Sequence, residues 1–283
     1  MAAPTRICIE HFGGSFFVFT LMGYLNYSYN LTTLGFNIFI FFISGLMIFS
    51  FMKIIFTGDV YKNFQIAWRA ALLGGLFSLG FYIYLVCPNN IKIFGLYMSV
   101  MSFFHASEFM AIAIVQPNLV STDSFVLNHS PEYTIAAVIS WAEFFIEAYF
   151  FPNIKQLYFI TYFGLVVCIF GEVLRKLAMF TAGSNFSHLV QYEKAEDHEL
   201  VTTGVYGWFR HPSYVGWFYW AVGTQILLIN PICIPAYALV SWMFFNKRIY
   251  IEEITLLNFF GQNYVNYQHK VGIGLPFIKG YQI

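Results

Sequence analysis

Residue types that could perform chemistry are concentrated in the last third of the chain, in two groups separated by a stretch without charged residues. The first group contains Arg210-His211-Pro212, and the second contains Arg248 and Glu252. Pro212 is acceptable in the first turn of a helix, where exposed backbone N–H groups favour an anionic ligand. Arg248 and Glu252 are four residues apart, so they share one helix face. An arginine is permanently charged and can bind an anionic group through two hydrogen bonds.

Each of these residues also has a plainer interpretation. Arg248, taken alone, is typical of the basic anchors that follow a membrane-spanning helix, and His211 is typical of a histidine at the membrane interface. Four further residues of the region are typical of an aromatic belt or of tight turns, although the glycines could also let the backbone approach a ligand: Tyr264, Tyr267, Gly204 and Gly207.

The composition indicates an integral membrane protein. Hydrophobic residues make up 59% of the 283 residues and charged residues only 10%, whereas soluble domains carry about 25% charged residues. The formal net charge is zero, which gives no electrostatic case for nucleic-acid binding. The four cysteines are far apart in the sequence and suggest neither disulfides nor a cysteine metal site: Cys8, Cys87, Cys168 and Cys233.

The apolar stretches predict eight membrane-spanning helices, since about 20 apolar residues are needed for one crossing. The charge-free stretch between Glu10 and Lys53 is divided into two crossings by a polar break at 30–35. The seventh and eighth crossings form a tight hairpin within 210–247, interrupted at Asn230-Pro231, and a mixed polar tail follows from Lys247. The third to sixth crossings are predicted at about 69–87, 93–116, 133–151 and from 156 onward past Gly171.

The basic residues predict the orientation of these crossings. With a cytoplasmic N-terminus, twelve of the 14 basic residues fall on the cytoplasmic side, and only Lys92 and Lys155 fall on the other. Both termini and the polar segment after the sixth crossing are therefore predicted to be cytoplasmic. The apolar stretch after Arg6 is too long for the hydrophobic core of a cleaved signal peptide.

The motifs in the last third resemble those of the isoprenylcysteine carboxyl methyltransferases and the related phospholipid methyltransferases. They are Arg210-His211-Pro212-Ser213-Tyr214-Val215-Gly216, then Arg248 with Glu252-Glu253, then Phe260-Gly261 with Tyr264 and Tyr267, preceded by the segment 198–206. The motif region covers about a quarter of the chain and shows no departure from the pattern. The length and the eight-helix layout resemble the animal members over the whole chain.

The resemblance implies an all-α integral membrane fold with about eight transmembrane helices, a C-terminal helical hairpin and cytoplasmic cofactor-binding segments. It divides the chain into transmembrane helices one to six, 1–181, and a catalytic region, 182–283. Arg248 and Glu252 are implied as catalytic residues, with Arg248 binding the acceptor carboxylate, and no metal is implied. The residues implied to surround S-adenosylmethionine are Gln191, His198, Glu199, Leu200, Val201, Tyr206, His211, Pro212, Ser213, Tyr214 and Glu252.

The activity implied is methyl esterification of the C-terminal prenylcysteine carboxylate of CaaX proteins, at the cytoplasmic face of the endoplasmic reticulum membrane. Small prenylcysteines and membrane lipid are the other expected partners. A carboxylate is already ionised near pH 7, so its methylation needs no base. It needs positioning and a pocket that excludes water. No glycine-rich strand–loop–helix unit of a soluble methyltransferase is found in the sequence.

Three alternatives remain open at this stage. A phospholipid N-methyltransferase shares the cofactor motif but has less need of Arg248, because its acceptor is an amine. A sterol reductase of the wider superfamily has a related C-terminal pattern but uses NADPH, and a transporter would explain the helices alone. Four polar residues lie within predicted crossings, where charged groups are costly: His105, Glu108, Glu143 and Glu147. We expect them to form structural hydrogen bonds between helices. The alternatives are lining of a substrate cavity, a proton relay or metal ligation.

Overall fold

The computed structural model describes residues 3–29, 44–45, 47, 61–127, 130–194, 196 and 198–281. In this part of the chain the regular structure is entirely helical, which confirms the all-α prediction. Its α-helices are α1 Ala3–Tyr29, α2 Tyr61–Val86, α3 Lys92–Val115, α4 Pro131–Phe150, α5 Tyr158–Ala182, α6 Pro212–Leu228, α7 Cys233–Phe260 and α8 Gln262–Lys270.

Helices α1 to α7 correspond to seven of the predicted crossings, and the predicted second crossing lies outside the described residues. Local sequence explains several boundaries. The Ser130 hydroxyl accepts a hydrogen bond from the backbone N–H of Tyr133 at the start of α4, and Pro131 occupies the first turn, a favoured helix start. Asn230 and Pro231 separate α6 from α7, as predicted.

Helix α7 extends well past Lys247, where the sequence changes from apolar to mixed and polar. The helix continues to Phe260, because no glycine or proline interrupts it between Ala236 and that residue. Gly261 then adopts φ +51° and ends the helix, a conformation that costs glycine little. As a result, Arg248 and Glu252 lie within a continuous helix.

Among the described residues, three helices are long and apolar enough to cross a membrane by length and composition, over Ala3–Ser28, Lys62–Val86 and Lys92–Val115. Helix α6 has only 17 residues, and α5 and α7 combine an apolar half with a charged half. Apolar side chains on α4 and α5 nevertheless face outward, which suits a lipid environment better than water. Examples that are more than half exposed are Ile135, Val138, Ile139, Phe159, Phe163 and Val166.

The chain divides into two compact units, one formed by Met1–Thr161 with Leu227–Ile229 and the other by Tyr162–Ile226 with Asn230–Ile283. In the first unit, Lys155 is wholly buried. Its Nζ lies 2.6 Å from Glu147 Oε2 and donates to the carbonyl oxygens of Leu228 and Ile229 at 3.0 and 2.8 Å. Glu147 therefore has a structural partner.

His105 is also tied to the structure of the first unit. Its Nδ1 lies 2.9 Å from the carbonyl oxygen of Phe125, and its Nε2 lies 3.3 Å from the Tyr133 hydroxyl. Glu108 is fully buried and Glu143 is half-buried. Among the described residues, no three His, Cys, Asp or Glu side chains are grouped so that they could hold a metal ion.

The second unit depends on close packing of α5 against α6. A Cβ on Gly171 would lie 2.5 Å from the carbonyl oxygen of Gly216, and one on Gly216 would lie 2.6 Å from that of Gly171. Such distances are too short for any side chain, so the glycine pair sets the spacing of the two helices. An apolar cluster that includes Leu174, Val215 and Phe245 joins α5, α6 and α7.

Candidate active site

The second unit contains a pocket whose lining comes from four parts of the chain. The space between its side chains measures about 840 Å³, including the part open to solvent. The lining comes from the segment between α5 and α6, the start of α6, and the ends of α7 and α8. Every residue that the resemblance assigns to the cofactor lies in this lining: Gln191, His198, Glu199, Leu200, Val201, Tyr206, His211, Pro212, Ser213, Tyr214 and Glu252.

Polar and aromatic contacts fix the described residues of the segment 183–201, which exclude 195 and 197. The Asn185 side-chain oxygen accepts a hydrogen bond from the backbone N–H of Glu199 at 2.8 Å. Gln191 Nε2 donates to the Ser187 hydroxyl at 2.7 Å. The His198 ring meets the Phe260 ring edge to face, with centroids 5.3 Å apart. These contacts give a long polar segment a defined position beside α7.

Arg248 itself does not line this pocket, but it is connected to a residue that does. Its Nε donates to the Tyr214 hydroxyl at 2.8 Å, and the same hydroxyl donates to the Glu252 carboxylate. A second nitrogen of Arg248 donates to the carbonyl oxygen of His188. Tyr214 thus bridges the two α7 residues that sequence analysis selected, and Arg248 and Glu252 lie on one helix face as predicted.

A buried ion pair borders the pocket, with its arginine in the lining and its carboxylate outside it. Arg210 Nε is 2.9 Å from Glu253 Oε1, and both side chains are almost completely buried. His211 places its Nε2 3.3 Å from the same oxygen and its Nδ1 3.8 Å from Glu252 Oε1. The His211 ring also stacks on Tyr214, with centroids 5.6 Å apart. Sequence analysis quoted Arg210 and Glu253 within motifs but gave them no role.

Arg175 is a second buried cation that the sequence analysis did not select. It is only 2% exposed, it lies on α5, and its NH1 donates to the Ser213 hydroxyl at 2.7 Å. Its guanidinium lies over the Trp217 ring, 4.5 Å from the centroid. A sequence signal was available, because Glu172 and Arg175 mark the change from apolar to charged residues along this helix.

Tyr264 and Tyr267 lie in the pocket lining and not on the protein surface. The Tyr264 hydroxyl donates to Glu253 at 3.2 Å, and the Tyr267 hydroxyl donates to the carbonyl oxygen of Tyr206 at 2.6 Å. Burial raises the pKa of all three tyrosines above the ordinary range, and the Glu253 carboxylate raises the pKa of Tyr264 further. These phenols stay protonated near neutral pH, so they act as hydrogen-bond donors.

Gly204 and Gly207 bound a short 3-10 turn that leads to Tyr206. Gly204 has φ +57°, which fits the interpretation as a turn residue. A Cβ on Gly207 would meet its nearest neighbour at 3.6 Å, an ordinary contact. The turn therefore places Tyr206 in the pocket, and the glycines are not part of the lining.

Comparison with known proteins identifies close relatives of the whole chain. The sequence model of the isoprenylcysteine carboxyl methyltransferase family matches residues 164–258. A protein-S-isoprenylcysteine O-methyltransferase of Tribolium castaneum is 61% identical, with full coverage of both chains. The protein of that name from Homo sapiens is 53% identical over 78% of each chain. A solved structure of the eukaryotic intramembrane Ras methyltransferase, 60% identical, superposes with a TM-score of 0.96 over both entire chains.

Proposed function

Because this chain belongs to the isoprenylcysteine carboxyl methyltransferase family, we infer that it is a membrane enzyme that methylates the C-terminal prenylcysteine carboxylate of CaaX proteins. The relatives are named as O-methyltransferases, so neither the phospholipid N-methyltransferase nor the sterol reductase interpretation is favoured. We propose in addition that the donor is S-adenosylmethionine, that it binds in the pocket of the second unit, and that Arg248 holds the acceptor.

The chemistry of the pocket lining fits this donor. An adenine ring needs apolar or aromatic surfaces, and Phe259, Phe260 and Tyr206 supply them. Ribose hydroxyls, an ammonium and a sulfonium favour acceptor oxygens and negative charge, which Glu199 and Glu252 supply. When bound, this donor would supply an electrophilic methyl group.

The protein's own task is to position the acceptor and keep it dry. The carboxylate of a prenylcysteine is ionised near pH 7, and an arginine can grip it with two parallel hydrogen bonds. Arg248 is half-buried and fixed from two sides, by the Tyr214 hydroxyl and by the His188 carbonyl oxygen. A guanidinium held in this way directs its remaining N–H groups and loses little entropy on binding.

One observation carries the assignment of Arg248. The Tyr214 hydroxyl contacts both Arg248 and Glu252, and both Tyr214 and Glu252 line the pocket proposed for the donor. The cation that would hold the acceptor is therefore one hydrogen bond away from the donor site. Transfer of a methyl group requires this proximity, because the two reacting atoms must approach in line.

The proposed setting follows from the charge distribution along the chain. Twelve of the 14 basic residues would be cytoplasmic if both termini are cytoplasmic. The site would then lie at the cytoplasmic edge of the membrane, and the family resemblance implies that this membrane is the endoplasmic reticulum. The catalytic region would be the C-terminal part of the chain, 182–283. A water-soluble protein substrate and an apolar prenyl chain could both reach a site at that edge.

Methyl transfer with purified protein tests this function. The assay uses S-adenosylmethionine labelled in the methyl group, with a small prenylcysteine or phosphatidylethanolamine as the acceptor. We expect label only in the prenylcysteine, and we expect alkali to release it as volatile methanol, because esters hydrolyse and N-methyl groups do not. Alkali-stable label in phosphatidylethanolamine would contradict the proposal. Binding titrations with S-adenosylhomocysteine and NADPH test the pocket separately, and preference for NADPH would contradict the donor.

A further inference from the structure

The last described residues, 271–281, form a segment without regular secondary structure, which we term the C-terminal strap. Three of its aliphatic side chains are buried in the apolar cluster of the second unit: Ile273, Leu275 and Ile278. Trp242 Nε1 also donates to the carbonyl oxygen of Pro276 at 2.7 Å. The body of the strap is therefore packed in place independently of its last residues.

The end of the strap binds one oxygen of the buried Glu253 carboxylate. The backbone N–H of Tyr281 donates to Glu253 Oε2 at 2.8 Å. Gln268 Nε2 lies 3.4 Å from the same oxygen and donates to the carbonyl oxygen of Tyr281 at 2.8 Å. Gly280 has φ +69°, and a Cβ there would overlap Glu253 Oε2. Only glycine fits between the strap and this carboxylate.

The other oxygen of Glu253 faces the pocket side of the network. Oε1 receives Arg210 Nε at 2.9 Å, the Tyr264 hydroxyl at 3.2 Å and His211 Nε2 at 3.3 Å. All three of these donors line the pocket, whereas Glu253 and Gly280 do not. The two oxygens belong to one planar group, so a rotation that frees the strap would also disturb the contact with His211.

We propose that the C-terminal strap is a positioning element for the donor pocket: it fixes the Glu253 carboxylate, which orients the His211 imidazole. Glu253 and Gly280 are then positioning residues, since they act through His211 and do not contact the ligand. This inference rests on the proposed function, in which the pocket holds the methyl donor. The proposal extends the donor site to Gly280, which is about 70 residues beyond His211 in the sequence.

Gly280→Ala tests the proposal, and Gly272→Ala is its matched control in the same strap. The alanine at 280 would push the strap away from Glu253. Gly272 has open space around its Cβ position and no left-handed φ, and alanine keeps the carbonyl that accepts from the Arg210 N–H. We expect Gly280→Ala to raise the donor KM and the Kd for S-adenosylhomocysteine about tenfold. The kcat at saturating donor and the acceptor KM should change less than threefold, and Gly272→Ala should match the wild type.

A change in the donor KM without a change in kcat distinguishes a strap that positions the donor pocket from a strap that only stabilises the fold. A supporting role would lower the melting temperature and the folded yield but leave donor affinity per folded molecule unchanged, and that result would overturn the proposal. If Gly280→Ala does not fold, a chain ending at Gly280 removes the Tyr281 contacts without a steric clash and must show the same loss of donor affinity. An inactive wild type would contradict the proposed function, whereas the strap would still be judged by S-adenosylhomocysteine binding.

Discussion

At the scale of single residues, Arg248 is suited to bind the acceptor carboxylate because neighbouring groups fix its side chain. An exposed arginine at the end of a membrane helix samples many rotamers and holds an anion weakly. Here the Tyr214 hydroxyl and the His188 carbonyl oxygen engage two of its nitrogens. If Arg248 is only a topological anchor, neither contact is required and replacement by lysine should preserve activity. If Arg248 binds the acceptor carboxylate, the same replacement should lower activity.

We expect Arg248→Ala to abolish methyl transfer while largely sparing binding of S-adenosylhomocysteine. Loss of a buried charged contact costs about 2–5 kcal/mol, which is roughly two orders of magnitude in rate or more. Arg248→Lys should recover little, because an ammonium cannot reproduce the planar two-bond grip. Initial rates with a prenylcysteine acceptor measure the effect. Lys247→Ala, at the exposed neighbouring position, is the control, and full activity of Arg248→Ala would reduce the arginine to an anchor.

The amidated acceptor provides a second measure of the Arg248 contact. A prenylcysteine whose carboxylate is converted to an amide should compete poorly against the normal acceptor in the wild type. In Arg248→Ala the acid and the amide should bind about equally, because the group that distinguishes them is gone. Competition constants for both compounds give the result, and equal discrimination in the two proteins would contradict the assignment.

Tyr214→Phe removes only the hydroxyl that joins Arg248 to Glu252. A lost hydrogen bond to a charged group costs roughly 1.5–3 kcal/mol, so methyl transfer should fall by roughly 10–100-fold. Tyr250→Phe is the matched control on α7, because that tyrosine is 48% exposed. Single-turnover rates with bound donor measure the change. A Tyr214→Phe enzyme as fast as the Tyr250→Phe control would show that the bridge is unimportant.

The family resemblance predicted eleven of the residues that line the pocket, but not the contacts around the buried Glu253 carboxylate. The resemblance to a family assigns eleven residues to the donor, from Gln191 before the motifs to Glu252 within them, and the structure brings these eleven to one pocket. The Arg210–Glu253 pair and the strap contact at Gly280 depend on three-dimensional neighbours far apart in sequence. Neither periodicity nor local motif specifies such partners. The roles of all these residues remain predictions.

At the scale of helices, the buried Lys155 ties three elements of the first unit together. Its ammonium is held by Glu147 of α4 and by the carbonyl oxygens of Leu228 and Ile229. The carbonyl groups at a helix C-terminus carry partial negative charge, so a cation there is favourable. Sequence analysis counted Lys155 only as a basic residue on the minority side of the membrane. Its burial reveals a role in stability.

We expect Lys155→Met to lower the stability of the purified protein without changing the KM of either substrate. Breaking one partner of a buried ion pair costs roughly 3–5 kcal/mol, because the remaining charge is left uncompensated. Thermal unfolding in detergent should show a fall of several degrees. Glu147→Gln in the same chain should restore part of the loss by removing the uncompensated carboxylate. An unchanged unfolding temperature for Lys155→Met would contradict the role of this contact.

At the scale of the whole molecule, the sequence predicts how the chain crosses the membrane. Seven predicted crossings match described helices, and the remaining one lies outside the described residues. The all-helical fold follows from composition and from helix breakers such as Pro117 and Asn230-Pro231. The exact ends of α7 and α8 do not follow as readily, because polar residues continue the helix beyond the apolar stretch.

Topology mapping tests the number and direction of the crossings. Reporters at both termini and within 182–200 should all be found on the cytoplasmic side, while a reporter near Asn230 should be lumenal. The basic residues are the physical reason, because they are retained on the cytoplasmic side during insertion. Protease protection in sealed microsomes measures the side of each reporter. A lumenal C-terminus would contradict the prediction of eight crossings. It would also place α8 and the segment 182–200 on opposite sides of the membrane, although both contribute to the pocket.

The continuous helix α7 has a consequence for how the enzyme tolerates different membranes. Its 28 residues extend about 42 Å at 1.5 Å per residue, which exceeds a hydrocarbon core of about 30 Å. Arg248 and Glu252 are separated by about one helical turn, about 6 Å along the axis. Bilayers that are thicker or thinner can tilt this rod or shift its depth. They do not change its length. The proposed acceptor and donor sites on this helix therefore keep a constant spacing in bilayers of different thickness.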